Sequence, residues 1–189
     1  MQKSFLMALD KYCYEYPRPA VSADMVVFGF DGNNFYLLLI QRGNEPYKDK
    51  WALPGGFLEM DETIENCAKR ELREETTLKN TTLEQLYTFS SVNRDPRGRV
   101  LTVAFWTIIE KDRESVAAGD DAAKAQWYLL NSLPALAFDH VDIVSMAIGK
   151  LLSLSQFSLP EIINRFGLQS SVNLNLLMPA LKNITIPSN

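Results

Sequence analysis

A Gly-Gly turn followed by an acidic helical segment is the feature that most constrains this chain. Behind Gly55 and Gly56, three carboxylates recur at the spacing of one helix face, those of Glu71, Glu74 and Glu75. Like charges at this spacing destabilise a helix by about 0.2–0.5 kcal/mol per pair, so stability alone gives no reason for the arrangement. A bound divalent cation would give one. The pattern therefore predicts a metal site beside a turn whose glycines let the backbone approach a ligand closely.

The ordinary alternative is a solvated helix face held by ion pairs, which is typical of Glu- and Arg-rich helices. Arg70 fits that alternative, but it also lies four residues before Glu74 and could steer its carboxylate. Hard oxygen ligands suit Mg²⁺ or Mn²⁺, which share substrate phosphates and lower the pKa of bound water.

Strand-like runs surround this helix. They occupy residues 21–30, 35–41, 86–92, 100–109 and 127–130. The first two runs flank an Asp-Gly-Asn-Asn turn and the next two flank an Asp-Pro-Arg-Gly turn, so each pair predicts a hairpin. An acidic loop is expected over residues 115–124. One helix among hairpins is typical of a mixed α/β domain and not of repeated βαβ units.

The pattern becomes helical from residue 139. An apolar stripe containing Ile143, Ala147 and Leu151 predicts a helix, and Ser158 with Glu161 forms a capping box for a second one that ends at Gly167. A third helix is expected over residues 173–181. We therefore expect a main domain over residues 1–140 and a short C-terminal helical extension over residues 141–189.

Composition bounds the class of protein. The chain has 189 residues, 47% of them hydrophobic, and a net charge of −4, which disfavours nucleic acid and anionic membranes as partners. The apolar run at residues 5–9 is too short to span a bilayer. Cys13 and Cys67 have no metal or redox spacing, so we expect a cytoplasmic protein. The single histidine, His140, excludes chemistry that needs a His pair, and we expect it to cap or pack near the final helix.

The spacing of the acidic segment resembles the Nudix box. Six of its seven fixed positions are present, at Gly56, Glu62, Arg70, Glu71, Glu74 and Glu75. The resemblance implies a Nudix α/β/α sandwich with a mixed sheet and a metal-dependent hydrolase of nucleoside diphosphate derivatives. It also implies the site residues. Mg²⁺ (or Mn²⁺) would be held by Glu71, Glu74, Glu75 and the carbonyl of Gly55, catalysis would use Glu74, Glu71 and Arg70, and Arg70 would pair with Glu62.

One box position departs from the pattern. Thr77 stands where the box has the glycine that ends the helix with positive φ. A β-branched residue in that conformation costs about 1–3 kcal/mol, or forces a different helix exit. Because this position holds no metal ligand, we expect the departure to affect stability and not catalysis.

Five further segments are similar to the ADP-ribose pyrophosphatase branch of the family, at residues 16–19, 41–46, 94–99, 118–121 and 136–140. That similarity implies ADP-ribose or a close relative as substrate, AMP and ribose 5-phosphate as products, and a homodimer. Arg94, Arg97 and Arg99 form a cationic turn whose guanidinium groups suit a diphosphate, and Arg18 is a fourth substrate-binding candidate. The turn could equally be an ordinary exposed hairpin tip.

The sequence leaves two roles unassigned, namely which residue positions the attacking water and which residue stacks on the adenine. In some relatives a loop carboxylate positions the water, and Glu114, Asp120 and Asp121 are the candidates here, although simple solvation also explains them. Trp51, Phe57 and Tyr47 could stack an adenine, or they could be ordinary packing residues.

The same branch includes Nudix-related transcriptional regulators of NAD metabolism, in which a winged-helix domain follows the Nudix domain. Residues 159–168 and 173–181 resemble the start of such a module, so the extension could be a winged-helix remnant and the protein an ADP-ribose-sensing regulator. Against this, the extension carries only three basic side chains and two acidic ones, too few cations to neutralise many phosphates. We therefore expect an enzyme, and DNA as an unlikely partner.

Overall fold

In the described part of the chain, seven strands form one mixed sheet. The computed structural model describes residues 14–79, 81–112, 116, 122–168 and 176–182. The strands are β1 (Ala20–Phe30), β2 (Phe35–Arg42), β3 (Trp51–Ala52), β4 (Gly55–Phe57), β5 (Glu84–Phe89), β6 (Val100–Glu110) and β7 (Ala122–Leu129). The helices are α1 (Ile64–Thr76), α2 (His140–Ser153), α3 (Leu159–Phe166) and α4 (Leu177–Lys182), with a 3₁₀ turn at Leu154–Gln156.

The strand order is β3-β2-β1-β6-β5, with β4 paired to β1 and β7 paired to β2. The long strands β1 and β6 run parallel, and the other pairs are antiparallel. The β1–β2 and β5–β6 hairpins confirm the two hairpin predictions. The parallel β1–β6 pair lies at the centre of the sheet and joins the two hairpins into one surface.

Several predicted boundaries are wrong. Strand β5 begins at Glu84 and ends at Phe89, earlier than predicted, and β7 starts at Ala122, within the predicted loop. Helix α1 begins at Ile64, with Thr63 as its N-cap. Helix α4 covers the end of the predicted third helix, whose first residues lie outside the described part of the chain.

Both faces of the sheet are covered, which confirms the α/β/α sandwich. On one face, Met25 and Val27 of β1 pack with the apolar side of α1. On the other face, Val26 and Phe28 share a cluster with residues of α2, α3 and α4. Successive residues of β1 thus point to opposite layers, as a strand buried on both faces requires.

The C-terminal helices pack in the same apolar cluster as the sheet. Glu161 accepts hydrogen bonds from the backbone N–H and the hydroxyl of Ser158, and Gly167 ends α3 with φ 65°, so the predicted cap residues of this helix are confirmed. The expected border between residues 140 and 141 falls at the first turn of α2, and the division into two parts stays a prediction. Within the described ranges, no helix is long and apolar enough to cross a membrane.

Candidate active site

Helix α1 carries two of its acidic side chains, Glu71 and Glu75, on the same side as its buried residues. Its N-terminus is capped by Thr63, whose hydroxyl accepts the N–H of Asn66 at 3.3 Å. Cys67, Ala68 and Leu72 are buried against the sheet. Glu71 and Glu75 lie one turn apart beside these residues and reach the glycines of β4, whereas Glu74 is exposed.

Arg70 contacts three carboxylates, those of Glu62, Glu71 and Glu74. Its Nη2 and Nε donate to the two oxygens of Glu62 at 2.6 and 3.1 Å, which forms the implied pair. Its Nη1 donates to Glu71 at 2.7 Å and to Glu74 at 3.2 Å. The guanidinium hydrogen bonds hold the pKa of Glu62 at about 2, so this carboxylate stays charged.

The two glycines of the turn touch the box carboxylates directly. The N–H of Gly55 donates to Glu75 at 2.8 Å, and a Cβ on Gly56 would overlap the Glu71 carboxylate. A Cβ on Gly55 would collide with the carbonyl of Ala23 and with Asp24. Only glycine therefore permits the turn to lie between β1 and α1, as the sequence suggested.

Glu71 and Glu75 carry raised pKa values in this setting. Burial raises the pKa of Glu75 to about 8, and the nearby Glu71 and Asp24 charges add to the effect. Burial also raises the pKa of Glu71, against the lowering effect of Arg70. Buried carboxylates without a cation favour the protonated form, so a cation bound nearby would relieve both groups.

The chemistry of this donor set fits a hard divalent cation, because carboxylate and carbonyl oxygens are its preferred ligands. The side chains do not form a ready cage. In the part of the chain that the structure describes, no group of three or more His, Cys, Asp or Glu side chains is arranged to hold a metal ion. Instead, Arg70 contacts both Glu71 and Glu74, so a cation would compete with Arg70 for these two carboxylates.

A small polar cleft opens beside the turn. Its volume is about 80 Å³, and its lining includes Asp24, Gly55, Gly56, Arg94, Arg97 and Phe138. A larger cavity of about 660 Å³ lies elsewhere, between α1 and the segment leading to β5, and neither glycine of the turn lines it. We place the site at the smaller cleft, because the glycines that contact Glu71 and Glu75 form its wall.

The predicted arginines do not form one exposed cationic turn. Arg94 is buried and donates to both oxygens of Asp139, at 2.9 and 2.7 Å. Arg97 lies at the cleft, pairs with Asp95 at 2.7 Å, and stacks on Phe57 with its guanidinium carbon 4.7 Å from the ring centroid. The structure thus gives the arginines different surroundings, and their roles in substrate binding stay predictions.

The other two arginines are not part of the cleft lining. Arg99 donates to the carbonyls of Ser90 and Ser91, and Arg18 stacks on Tyr14. Glu114, Asp120 and Asp121 lie outside the described residues.

The three aromatic candidates for adenine stacking have different surroundings. Phe57 lines the cleft, while Tyr47 packs on Phe138 with ring centroids 4.7 Å apart. Trp51 packs on Tyr128 and is absent from the lining.

Sequence reasoning missed Asp24 and His140, which line the cleft, and Asp139, which holds the cleft residue Arg94. Asp24 of β1 is buried 3.6 Å from Arg94, Asp139 holds Arg94, and His140 is buried beside them. One signal was available for Asp24, because it is the only charged residue in the apolar run of residues 21–30. His140 does pack at a helix terminus as expected, but its neighbours are cleft residues.

The chain is similar to known Nudix proteins. The NUDIX domain family model matches residues 18–146. An ADP-ribose pyrophosphatase of Methanocaldococcus jannaschii is 43% identical over 129 residues, which cover 68% of this chain and 73% of that protein. The ADPR responsive transcriptional repressor NtrR of Acinetobacter baylyi is 34% identical over 161 residues, covering 83% of this chain and 63% of the repressor.

Among solved structures, the Nudix domain of Shewanella oneidensis NrtR complexed with ADP ribose aligns with a TM-score of 0.68 and 28% identity. The alignment covers 80% of this chain and 99% of that one. The fold, the box and the matched domain agree, so this chain belongs to the Nudix family. The matched NUDIX domain and the identity to the pyrophosphatase make it a Nudix hydrolase.

Proposed function

We propose that the protein is a Mg²⁺-dependent (or Mn²⁺-dependent) pyrophosphohydrolase. Its substrate would be ADP-ribose or a related nucleoside diphosphate derivative, cleaved to AMP and a phosphorylated moiety. The observation that carries the proposal is the contact of Gly55 and Gly56 with Glu75 and Glu71 at the wall of a polar cleft. Identity to an ADP-ribose pyrophosphatase and similarity to an ADP-ribose complex support the substrate class.

In this proposal Glu71, Glu74, Glu75 and the Gly55 carbonyl hold the metal. When bound, the metal polarises phosphoryl oxygens and lowers the pKa of a water molecule. Glu74 is the most exposed of the three carboxylates, with 48% of its side chain accessible, so it is best placed to accept a proton from that water. Arg70 orients Glu74 and Glu71 by donating to both.

Arg97 and Phe57 are suited to bind the substrate at the cleft. The guanidinium of Arg97 offers a planar set of donors for phosphate oxygens, and its neighbour Asp95 keeps it directed. The Phe57 ring is 39% exposed, so it offers an apolar surface to a base or ribose. We also propose a homodimer, which sedimentation or light scattering would test.

The decisive experiment is a panel of diphosphate substrates with Mg²⁺, comparing wild type with Glu74→Gln. We expect ADP-ribose to be hydrolysed and Glu74→Gln to lower kcat by about 10²–10⁴-fold. Glu65→Gln is a matched control, because it removes the same charge from an exposed position on the far side of α1. Equal activity of Glu74→Gln and wild type would refute the assigned site.

A second candidate is an ADP-ribose-responsive regulator of transcription. The similarity to NtrR extends over 83% of this chain, more than the 68% matched by the pyrophosphatase. A Shewanella oneidensis NrtR structure with a 27mer DNA also aligns, with a TM-score of 0.62. Absence of turnover for every diphosphate, together with salt-sensitive DNA binding released by ADP-ribose, would favour the regulator.

A further inference from the structure

His140 contacts the backbone that leads into the Gly-Gly turn. It is the first residue of α2 and is 4% exposed. Its Nδ1 accepts the N–H of Leu53 at 2.9 Å, although the two residues are 87 positions apart in the chain. Because Nδ1 is the acceptor, the neutral ring carries its proton on Nε2.

Leu53 opens a short segment that is held from three directions. The carbonyl of Pro54 accepts the N–H of Met25 at 2.8 Å, which ties the segment to β1. The N–H of Gly55 donates to Glu75 at 2.8 Å, which ties it to α1. His140 supplies the third attachment, from α2, next to a backbone bond from Ala137 N–H to the Trp51 carbonyl at 2.8 Å.

We propose that His140 is a positioning residue for the hydrolytic reaction. By accepting the Leu53 N–H, His140 fixes the position of the Gly-Gly turn relative to α1. Gly55 and Gly56 then stay in contact with Glu75 and Glu71. The inference rests on the proposed hydrolase function for its kinetic consequence, but the contact itself can be measured without turnover.

Two features of the contact support this role over simple packing. Leu53 is 2% exposed, so His140 satisfies a buried N–H, and an unpaired buried donor is costly. The other ring nitrogen lies 3.7 Å from Asp24, longer than a hydrogen bond. The bond to Leu53 is therefore the polar contact that sets the orientation of the ring.

Three substitutions separate the hydrogen bond from the packing of the ring. His140→Asn places an amide oxygen near the position of Nδ1 and keeps an acceptor for Leu53. His140→Gln places its amide near Nε2, and His140→Phe keeps the ring shape without any acceptor. All three lose native packing contacts or polar atoms, so each is expected to lower Tm.

We expect the kcat of each variant to depend on whether it keeps an acceptor for the Leu53 N–H, and not on its Tm. We expect His140→Asn to keep kcat within about threefold of wild type, and His140→Gln and His140→Phe to lose about tenfold or more, with KM little changed. Equal losses of kcat in all three variants, or unchanged kcat in His140→Phe, would overturn the proposal.

Wild-type protein offers a test that does not depend on activity. His140 is the only histidine, so its side-chain ¹⁵N signals are unambiguous. We expect a neutral ring with a proton on Nε2 and a hydrogen-bonded, unprotonated Nδ1, whereas a proton on Nδ1 would overturn the proposal. Amide exchange at Leu53 and Gly55 should be faster in His140→Phe than in His140→Asn, and equal rates would contradict it even if no substrate is ever found.

Discussion

Thr77 shows at the scale of one residue how a helix can end without glycine. Its φ of 65° and ψ of 0° lie in the left-handed region, and its N–H bonds to the carbonyl of Arg73. This conformation costs an L residue roughly 1–2 kcal/mol, and glycine avoids that cost. Thr77→Gly should therefore raise the free energy of unfolding by about 1 kcal/mol and Tm by about 2–4 °C, with turnover unchanged. Calorimetry and initial rates on the same preparation would measure both.

Lys79 provides the control for this substitution. It is exposed, close to Thr77, and is not among the described residues with positive φ. Lys79→Gly should lower stability slightly, because glycine adds entropy to the unfolded chain. A fall in Tm for Thr77→Gly as well would show that the side chain of Thr77 contributes more than its backbone costs.

Glu75 gives the metal-free protein a pH dependence of defined sign. Its pKa is about 8 in the folded state, against 4.5 for the free side chain. Between these values the folded protein holds a proton that the unfolded chain releases, so this group destabilises the fold progressively as pH rises through the window. Glu75→Gln should remove that dependence.

Urea unfolding at pH 5 to 9 in EDTA would measure the effect as the difference between wild type and Glu75→Gln. Taking the difference removes the opposite contribution of His140, whose pKa is lowered by burial. Parallel curves for the two proteins would mean that Glu75 ionises normally in the fold. Addition of Mg²⁺ should raise the stability of wild type relative to Glu75→Gln, and most at high pH, where Glu75 gives up its proton more easily.

At the scale of elements, the site depends on how closely β4 approaches α1. A Cβ on Gly56 would occupy the space of the Glu71 carboxylate, so Gly56→Ala must displace that side chain. We expect kcat to fall by about 10²-fold, with little change in the secondary structure seen by circular dichroism. Gly149→Ala is the matched control, because a Cβ there meets nothing within 4 Å.

Gly149 lies inside α2, where alanine is favoured over glycine by about 0.5–1 kcal/mol. Gly149→Ala should therefore raise Tm and leave kcat unchanged. If Gly56→Ala kept full activity, the close approach of strand and helix would not matter for catalysis.

Local signals predicted the elements that local sequence determines. The apolar stripe of α2 and the cap residues of α3 each lie within a short stretch of chain, as do the turns of both hairpins. The pairing of β4 with β1 and the parallel alignment of β6 with β1 depend on partners far away in the chain, which no local pattern encodes. The same reason explains why only part of the site was predicted. Glu71 and Glu75 belong to one helix and were predicted, whereas Asp24, Asp139 and His140 meet only after the sheet and α2 have come together.

At the scale of the whole molecule, the C-terminal helices and the sheet share one apolar core. Trp106 of β6 and Phe166 of α3 make an edge-to-face contact with ring centroids 5.0 Å apart. Arg165 of α3 donates to both oxygens of Glu84 in β5, at 2.6 Å each. Because that ion pair is partly exposed, we expect it to contribute no more than about 1 kcal/mol, and the apolar contact to contribute most of the coupling.

Phe166→Ala tests whether the molecule unfolds as one unit. The ring is 5% exposed, and removing such a ring costs about 3–5 kcal/mol. If sheet and C-terminal helices form one cooperative core, urea unfolding followed by tryptophan fluorescence and by circular dichroism should shift together to lower urea, as a single transition. Phe157→Ala is the control, because its ring is 42% exposed and its loss should cost less than about 1 kcal/mol. Separate transitions, with only the helical signal shifted by Phe166→Ala, would instead indicate an independently folding extension of the kind a regulator requires.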